Sequence, residues 1–191
     1  MIVVAARNTL SAQAFRERHS HHAIDIQFVI QPKSYFAFLN EIIATFSGDF
    51  VVIAHDDIWL PQNFSSNLTQ LLDELETSLL SWAVVGNAGI TPYKTGFAQS
   101  RQIRYLTDPH GGPNLSHHLL PAETVDGNIL LLNLRKIRES GIRLPEFEGF
   151  HFYDIILSIL AHEKDLAVMI SPLLTCYHAS GGDKQAFDQA F

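Results

Sequence analysis

Residues 48–61, GDFVVIAHDDIWLP, constrain the chain most. A short apolar run beginning at Phe50 ends abruptly in His55, Asp56 and Asp57. A run of this length between a glycine and a proline reads as a strand buried on both faces, the pattern of an inner strand in an α/β sheet. The two acids then fall at its C-terminal end, the edge at which open α/β sheets bind ligands. Adjoining carboxylates repel one another unless a cation or hydrogen-bond donors offset them. A second reading is that Asp56 and Asp57 cap a helix beginning after Pro61.

The 191 residues suffice for one domain with a full core, and a hydrophobic content of 47% against 17% charged residues describes a folded chain. A formal net charge of -7 argues against a general nucleic-acid binder, which needs clustered Lys and Arg. A local basic pocket for a small anion stays open. Cys176 has no partner for an internal disulfide. The first residues lack the basic start and apolar length of a signal peptide, and no window approaches a membrane span, so a cytoplasmic location is expected. Ten histidines invite metal hypotheses. His19, His21 and His22 lie in a polar stretch without acid or cysteine at ligand spacing, and are read as solvated loop residues. His110, His117 and His118 are assigned to a solvated loop as well.

In chain order, Ile2 to Ala6 reads as a first strand, with Arg7, Asn8 and Thr9 turning after it. Arg7 sits where a strand-end loop could meet a phosphate or a base, or is simply a surface arginine. A weakly patterned helix over 10–18 precedes a second strand over 24–30. Ser34 can cap a helix carrying Leu39, Ile42, Ile43 and Phe46 on one face. Strand, helix, strand at this separation is the right-handed crossover of parallel sheets. Residues 62–80 read as one amphipathic helix with Phe64, Leu68, Leu71, Leu72, Leu75 and Leu79 on its apolar stripe. Residues 82–86 form a further strand, where Gly86 and Gly89 allow close backbone approach. The regular pattern then stops over 91–123, with at most a short hairpin around 99–105. A connection this long is usually functional or mobile. Residues 129–132 form a strand, 134–140 a short helix stopped by Gly141, and 166–170 a last core strand. Asp154 falls at or near the N-cap of a helix whose stripe is Ile155, Ile156, Ile159 and Leu160.

Three features can be joined: His55, Asp56 and Asp57 after the buried strand, Asp154 at a helix start, and His178 shortly after the last strand. A hard divalent cation needs only one or two protein acids when a diphosphate supplies further oxygens, and imidazole is acceptable to manganese. Two or three ligands with open positions would stabilise a nucleotide diphosphate as it leaves.

Residues 49–61 resemble the DxD region of family 2 glycosyltransferases with the GT-A fold, and FHFYDI at 150–155 with YHASGG at 177–182 resembles the streptomycin-biosynthesis StrF-like branch. Asn40 and the strand with paired glycines over 82–89 fit the same pattern, so that the similarity covers residues 28–182. The resemblance implies a single domain over 1–191, a three-layer α/β/α GT-A-like fold with a mostly parallel sheet. It implies transfer of a sugar from a nucleotide-diphosphate sugar to an unknown hydroxyl acceptor, with inversion and with Mn2+ or Mg2+. Asp57 and Asp56 with His178 would hold the metal, and Asp154 would be the general base. Arg7, Lys33, Asp56 and Asp126 would contact the donor. Asp154 could equally serve as a plain cap, Asp126 as a turn residue, His178 as a hydrogen-bonded histidine, and His151 as a packing residue. The sequence also departs from the pattern: His55 replaces an acid, Ile156 replaces a second acid after the base, and residues 31–33 lack an aspartate for the nucleotide base. Two alternatives remain, a catalytically degenerate nucleotide-sugar-binding domain and a metal-dependent phosphoesterase or nucleotidyltransferase.

Overall fold

A computed structural model describes residues 1–92, 101–109, 111–113 and 119–179. The first half runs β1 (Ile2–Ala6), α1 (Thr9–Arg18), β2 (Ile26–Ile30), α2 (Tyr35–Thr45), β3 (Phe50–His55), β4 (Ile58–Trp59), α3 (Phe64–Thr77), β5 (Trp82–Gly86) and β6 (Ala88–Ile90). The second runs β7 (Gln102–Arg104), β8 (Leu106–Thr107), β9 (Leu120–Pro121), β10 (Thr124–Val125), β11 (Ile129–Asn133), α4 (Leu134–Glu139), α5 (Tyr153–His162), β12 (Ala167–Ile170) and β13 (Cys176–His178).

Among the described residues the central sheet has seven strands in the order β2-β1-β3-β11-β5-β12-β9. β1 is parallel to β2 and β3, and β12 to β5, whereas β11 is antiparallel to both of its neighbours. Successive strand residues point to opposite faces. Val3, Val51, Ile53, Leu130 and Leu132 therefore meet α2, α4 and α5 on one side. Ile2, Val4, Val52, Ala54 and Leu131 meet Phe15 of α1 and Phe64, Leu71 and Leu75 of α3 on the other. The result is three layers with helices covering both faces of a mostly parallel sheet. Ser34 caps α2 as its sequence suggests, accepting from Ala37 N at 3.1 Å. Asn40 of α2 grips the main chain of Leu144 through its amide, donating from Nδ2 and accepting at Oδ1, both at 2.9 Å.

Several expectations are corrected. The helix over 62–80 is shorter: α3 ends at Thr77, and Leu79 is left-handed, at φ 55, and 93% exposed. Leu79 therefore leaves the apolar stripe, since the chain has to turn here to enter β5. On α5 the buried face is Tyr153, Leu157, Ser158 and Ala161, while Ile155 and Ile159 are exposed. Sequence alone could not orient that helix, because its mixed apolar residues leave two stripes open. His19 and His22 are buried rather than solvated, packed between α1 and the segment around Ile58. The hairpin expected around 99–105 is β7 paired with the earlier β6. His110, His117 and His118 lie outside the described residues.

The pairing registers bring three strand ends to one edge. Ala5 is level with His55, and Ala6 with Ile30. Loops beginning at Arg7, Gln31 and Asp56 consequently rise side by side.

Candidate functional site

A cleft of about 460 Å³ opens at that edge, lined by Arg7, Gln31, Tyr35, Asp57, Phe150 and His151 among others. His55 and Asp56 line it too. β3 sets His55 in place through its last ladder contact, His55 N donating to Asn128 O at 3.0 Å. After Asp57 the chain enters β4, whose Ile58 and Trp59 pair with His178 and Tyr177 of β13. Ala179 N closes that ladder onto Asp57 O at 3.0 Å. This pairing, between segments about 120 residues apart, carries His178 to Asp57.

His178 Nε2 lies 3.3 Å from Asp57 Oδ1. Both atoms are buried, and neither makes a well-aligned hydrogen bond. They face one another at ion-pair distance, and a carboxylate and an imidazole so placed are also the donor types that a divalent cation takes. His55, Asp57 and His178 offer three ligand atoms within 4.8 Å of one another, one such group among the described residues. The charges support each other. Burial works to raise the Asp57 carboxyl, but His178 and then His55 outweigh it and hold it below the usual range. Burial works to lower the His178 imidazole, but Asp57 outweighs it and holds it above its ordinary value.

Asp56 is not part of this group. Although it adjoins Asp57 in sequence, the two occupy the two-residue turn between β3 and β4, and its side chain takes a different partner. Its carboxylate is taken by Arg7, which donates from the main-chain N at 2.8 Å and from Nε at 2.9 Å. The repulsion expected between the two acids is thus relieved by separate partners. Arg7 keeps most of its guanidinium exposed along the cleft. Lys33 is not among the residues lining the cleft; it borders a neighbouring hollow with Ser34, Arg143 and Phe147. Asp126 caps its own turn, its Oδ1 accepting from Asn128 N at 3.0 Å and Asn128 Nδ2 at 2.7 Å. The Asp126 charge is felt by His55, His178 and Asp154 alike.

Asp154 is the second residue of α5, and its carboxylate accepts main-chain N–H groups both from the first turn of the helix and from the turn before β11. Oδ2 accepts from Gly127 N at 2.7 Å and Oδ1 from Ile155 N at 2.9 Å. Burial first, and Asp126 second, push its carboxyl up to about 6. The residue before the helix, Phe152, is left-handed at φ 66 and ψ 0. Such strain costs about 1–3 kcal/mol and persists only where the surroundings over-determine it. Here the next two side chains do so, because both are tied to Gly127.

The sequence reading missed Tyr153 and Gly127, and placed His55 in the cluster with Asp56 and Asp57 without counting it among the ligands. His55 ends β3 and Asp57 lies in the turn that follows, so their nearness in sequence was the signal available. Nothing local announced Tyr153 or Gly127, whose roles exist only across the contact between α5 and the turn before β11.

No family model and no curated protein matches the chain. Solved structures do resemble it. S. aureus TarS 1–349 superposes with a TM-score of 0.58 at 9% identity, covering 98% of this chain and 62% of that one. A mannosyltransferase, PcManGT from Pyrobaculum calidifontis in complex with GDP-Man and Mn2+, gives 0.56 at 10% identity, covering 99% and 63%. GalNAc-T7 with UDP, GalNAc and Mn2+ gives 0.51 at 9% identity, covering 94% and 43%. The fold is GT-A. This GT-A domain spans about three fifths of the length of the TarS and mannosyltransferase chains that it matches. Among its described residues, no helix is long and apolar enough to cross a membrane.

Proposed function

We propose that residues 1–191 form a single GT-A domain that transfers a sugar from a nucleotide-diphosphate sugar to a hydroxyl acceptor, aided by a divalent cation. The observation that carries this reading is the convergence of one ligand atom each from His55, Asp57 and His178 within 4.8 Å beside the strand-edge cleft. Solved neighbours of the same fold carry GDP-Man with Mn2+, or UDP with Mn2+. Asp57, His178 and His55 would hold the cation. A carboxylate with two imidazoles suits Mn2+ better than Mg2+, which prefers oxygen and water. Bound there, the cation would offset the charge of the departing diphosphate.

The chain's own groups divide the remaining work. Arg7 brings positive charge to the phosphates, and Asp56 orients it. Asp154, ionised at neutral pH, accepts the proton of the acceptor hydroxyl as that oxygen bonds to the anomeric carbon. The bond from that carbon to the diphosphate oxygen breaks in the same displacement, so the configuration inverts. Asp126 lies close enough to raise the basicity of Asp154 and borders the sugar or acceptor side. Lys33 has no part in this reading. The motifs at 150–155 and 177–182 support a place in family 2, near its StrF-like branch.

Thermal-shift measurements with UDP-, GDP- and dTDP-sugars, with and without Mn2+, test the proposal through linkage of binding to stability. One nucleotide should raise the melting temperature only when Mn2+ is present, and Asp57→Ala should abolish that shift. An equal shift in Asp57→Ala, or no donor effect under any condition, would overturn it. Acceptor-dependent release of free nucleotide then separates a transferase from a domain that only binds.

A further inference from the structure

The Tyr153 hydroxyl is buried, with Oη 2.7 Å from Gly127 O and 2.9 Å from His55 Nε2. A carbonyl oxygen has no hydrogen, so the Tyr153 hydrogen is committed to Gly127 O. The oxygen of Tyr153 must then accept, and the only hydrogen that can fill that contact is on His55 Nε2. The proton of a neutral His55 is thereby assigned to Nε2, and its remaining lone pair to Nδ1.

The geometry points to Tyr153 as a positioning residue that fixes His55 in its Nε2–H form, leaving Nδ1 as the atom that ligates the cation. This rests on the cation reading above and deepens it. A free imidazole exchanges between two tautomers, and a ligating histidine is characteristically held by a donor bond from its other nitrogen. Here the selection is made before any cation arrives. The turn ahead of β11 is built for it. Gly127 must lack a side chain, because a Cβ there would lie 2.1 Å from Tyr153 Oη. The ring of Tyr153 is held by stacking on Tyr35, with centroids 4.4 Å apart and planes 13° from parallel. His55 N donates to Asn128 O, so the same turn holds both the backbone and, through Tyr153, the ring of His55. The arrangement also ties the two halves of the site, because Gly127 N binds Asp154 while Gly127 O binds Tyr153.

Nitrogen NMR of the imidazoles in metal-free protein reads the tautomer directly. Wild type should show His55 as a single Nε2–H form, and Tyr153→Phe should show a mixture. Calorimetric titration with Mn2+ should then find affinity about 10–100-fold weaker in Tyr153→Phe, with secondary structure by circular dichroism unchanged. An Nδ1–H form or a mixture in the wild type overturns the inference, and so does wild-type Mn2+ affinity in Tyr153→Phe. The wild-type spectrum decides even if that variant fails to fold. Absence of Mn2+ binding by wild-type protein would instead remove the cation reading, and with it the ligand role of Nδ1, while the tautomer measurement separately decides what Tyr153 does.

Discussion

His19 shows how far one side chain's surroundings can depart from its sequence context. It belongs to a polar stretch rich in histidine, yet it is buried, with Nε2 3.1 Å from Ile58 O and its ring 4.4 Å from that of Phe15. The carbonyl can only accept, so Nε2 carries the hydrogen. Burial pushes its pKa down to about 4 from 6.5. Between these values the unfolded chain binds a proton that the folded chain refuses, so stability is complete above pH 6.5 and falls as pH drops toward 4. The loss from this residue is about 3 kcal/mol at most. Urea unfolding at a series of pH values should show it. The stability difference between wild type and His19→Gln should shrink by that order from pH 7 to pH 4, and a constant difference would assign the acid sensitivity elsewhere.

Elements were legible where a local pattern sufficed. The inner strand β3, the capped helix α2 and the glycine stop after α4 follow from apolar runs, Ser34 and Gly141, and each occurs where the residues imply. The expected close backbone approach holds at Gly89, while at Gly86 the nearest neighbour is the Val125 side chain. At Gly89, φ is 157 and a Cβ would lie 2.0 Å from Thr124 O, across the pairing of β6 with β10. Backbone cannot yield as a flexible side chain can. Gly89→Ala should therefore cost about 2–4 kcal/mol, read as a lowered denaturation midpoint with an unchanged slope. Short strands such as β4, β8, β9 and β10 escaped the sequence reading, since two residues carry no period. The rotation of α5 escaped it too, because its choice of buried face depends on β10 and β12 lying beneath.

At the scale of the whole molecule, the site is assembled from opposite ends of the chain. Asp57 follows the third strand, whereas His178 comes from the last described one and Asp154 from the helix before it. In the proposed function, donor binding and proton removal reside on different elements and should separate on mutation. Asp154→Asn should keep the Mn2+-dependent donor shift yet stop transfer, and the wild-type rate should rise with pH through about 6, the value to which burial raises this carboxyl. Turnover retained in Asp154→Asn, or lost donor binding, would reject the division.

The order of the longer strands and helices, the buried strand running into two acids, and the candidacy of Asp57, Asp154 and His178 were written in the chain itself, because hydrophobic period and turn chemistry act over a few residues. Which acid faces which partner was decided only by the tertiary structure. Asp56 turns to Arg7, Asp57 to His178, and His55 joins the latter pair. The physical reason is that Asp56 and Asp57 sit in the turn between β3 and β4, and the partner each one meets is delivered by pairings between segments remote in sequence, β1 beside β3 and β13 beside β4.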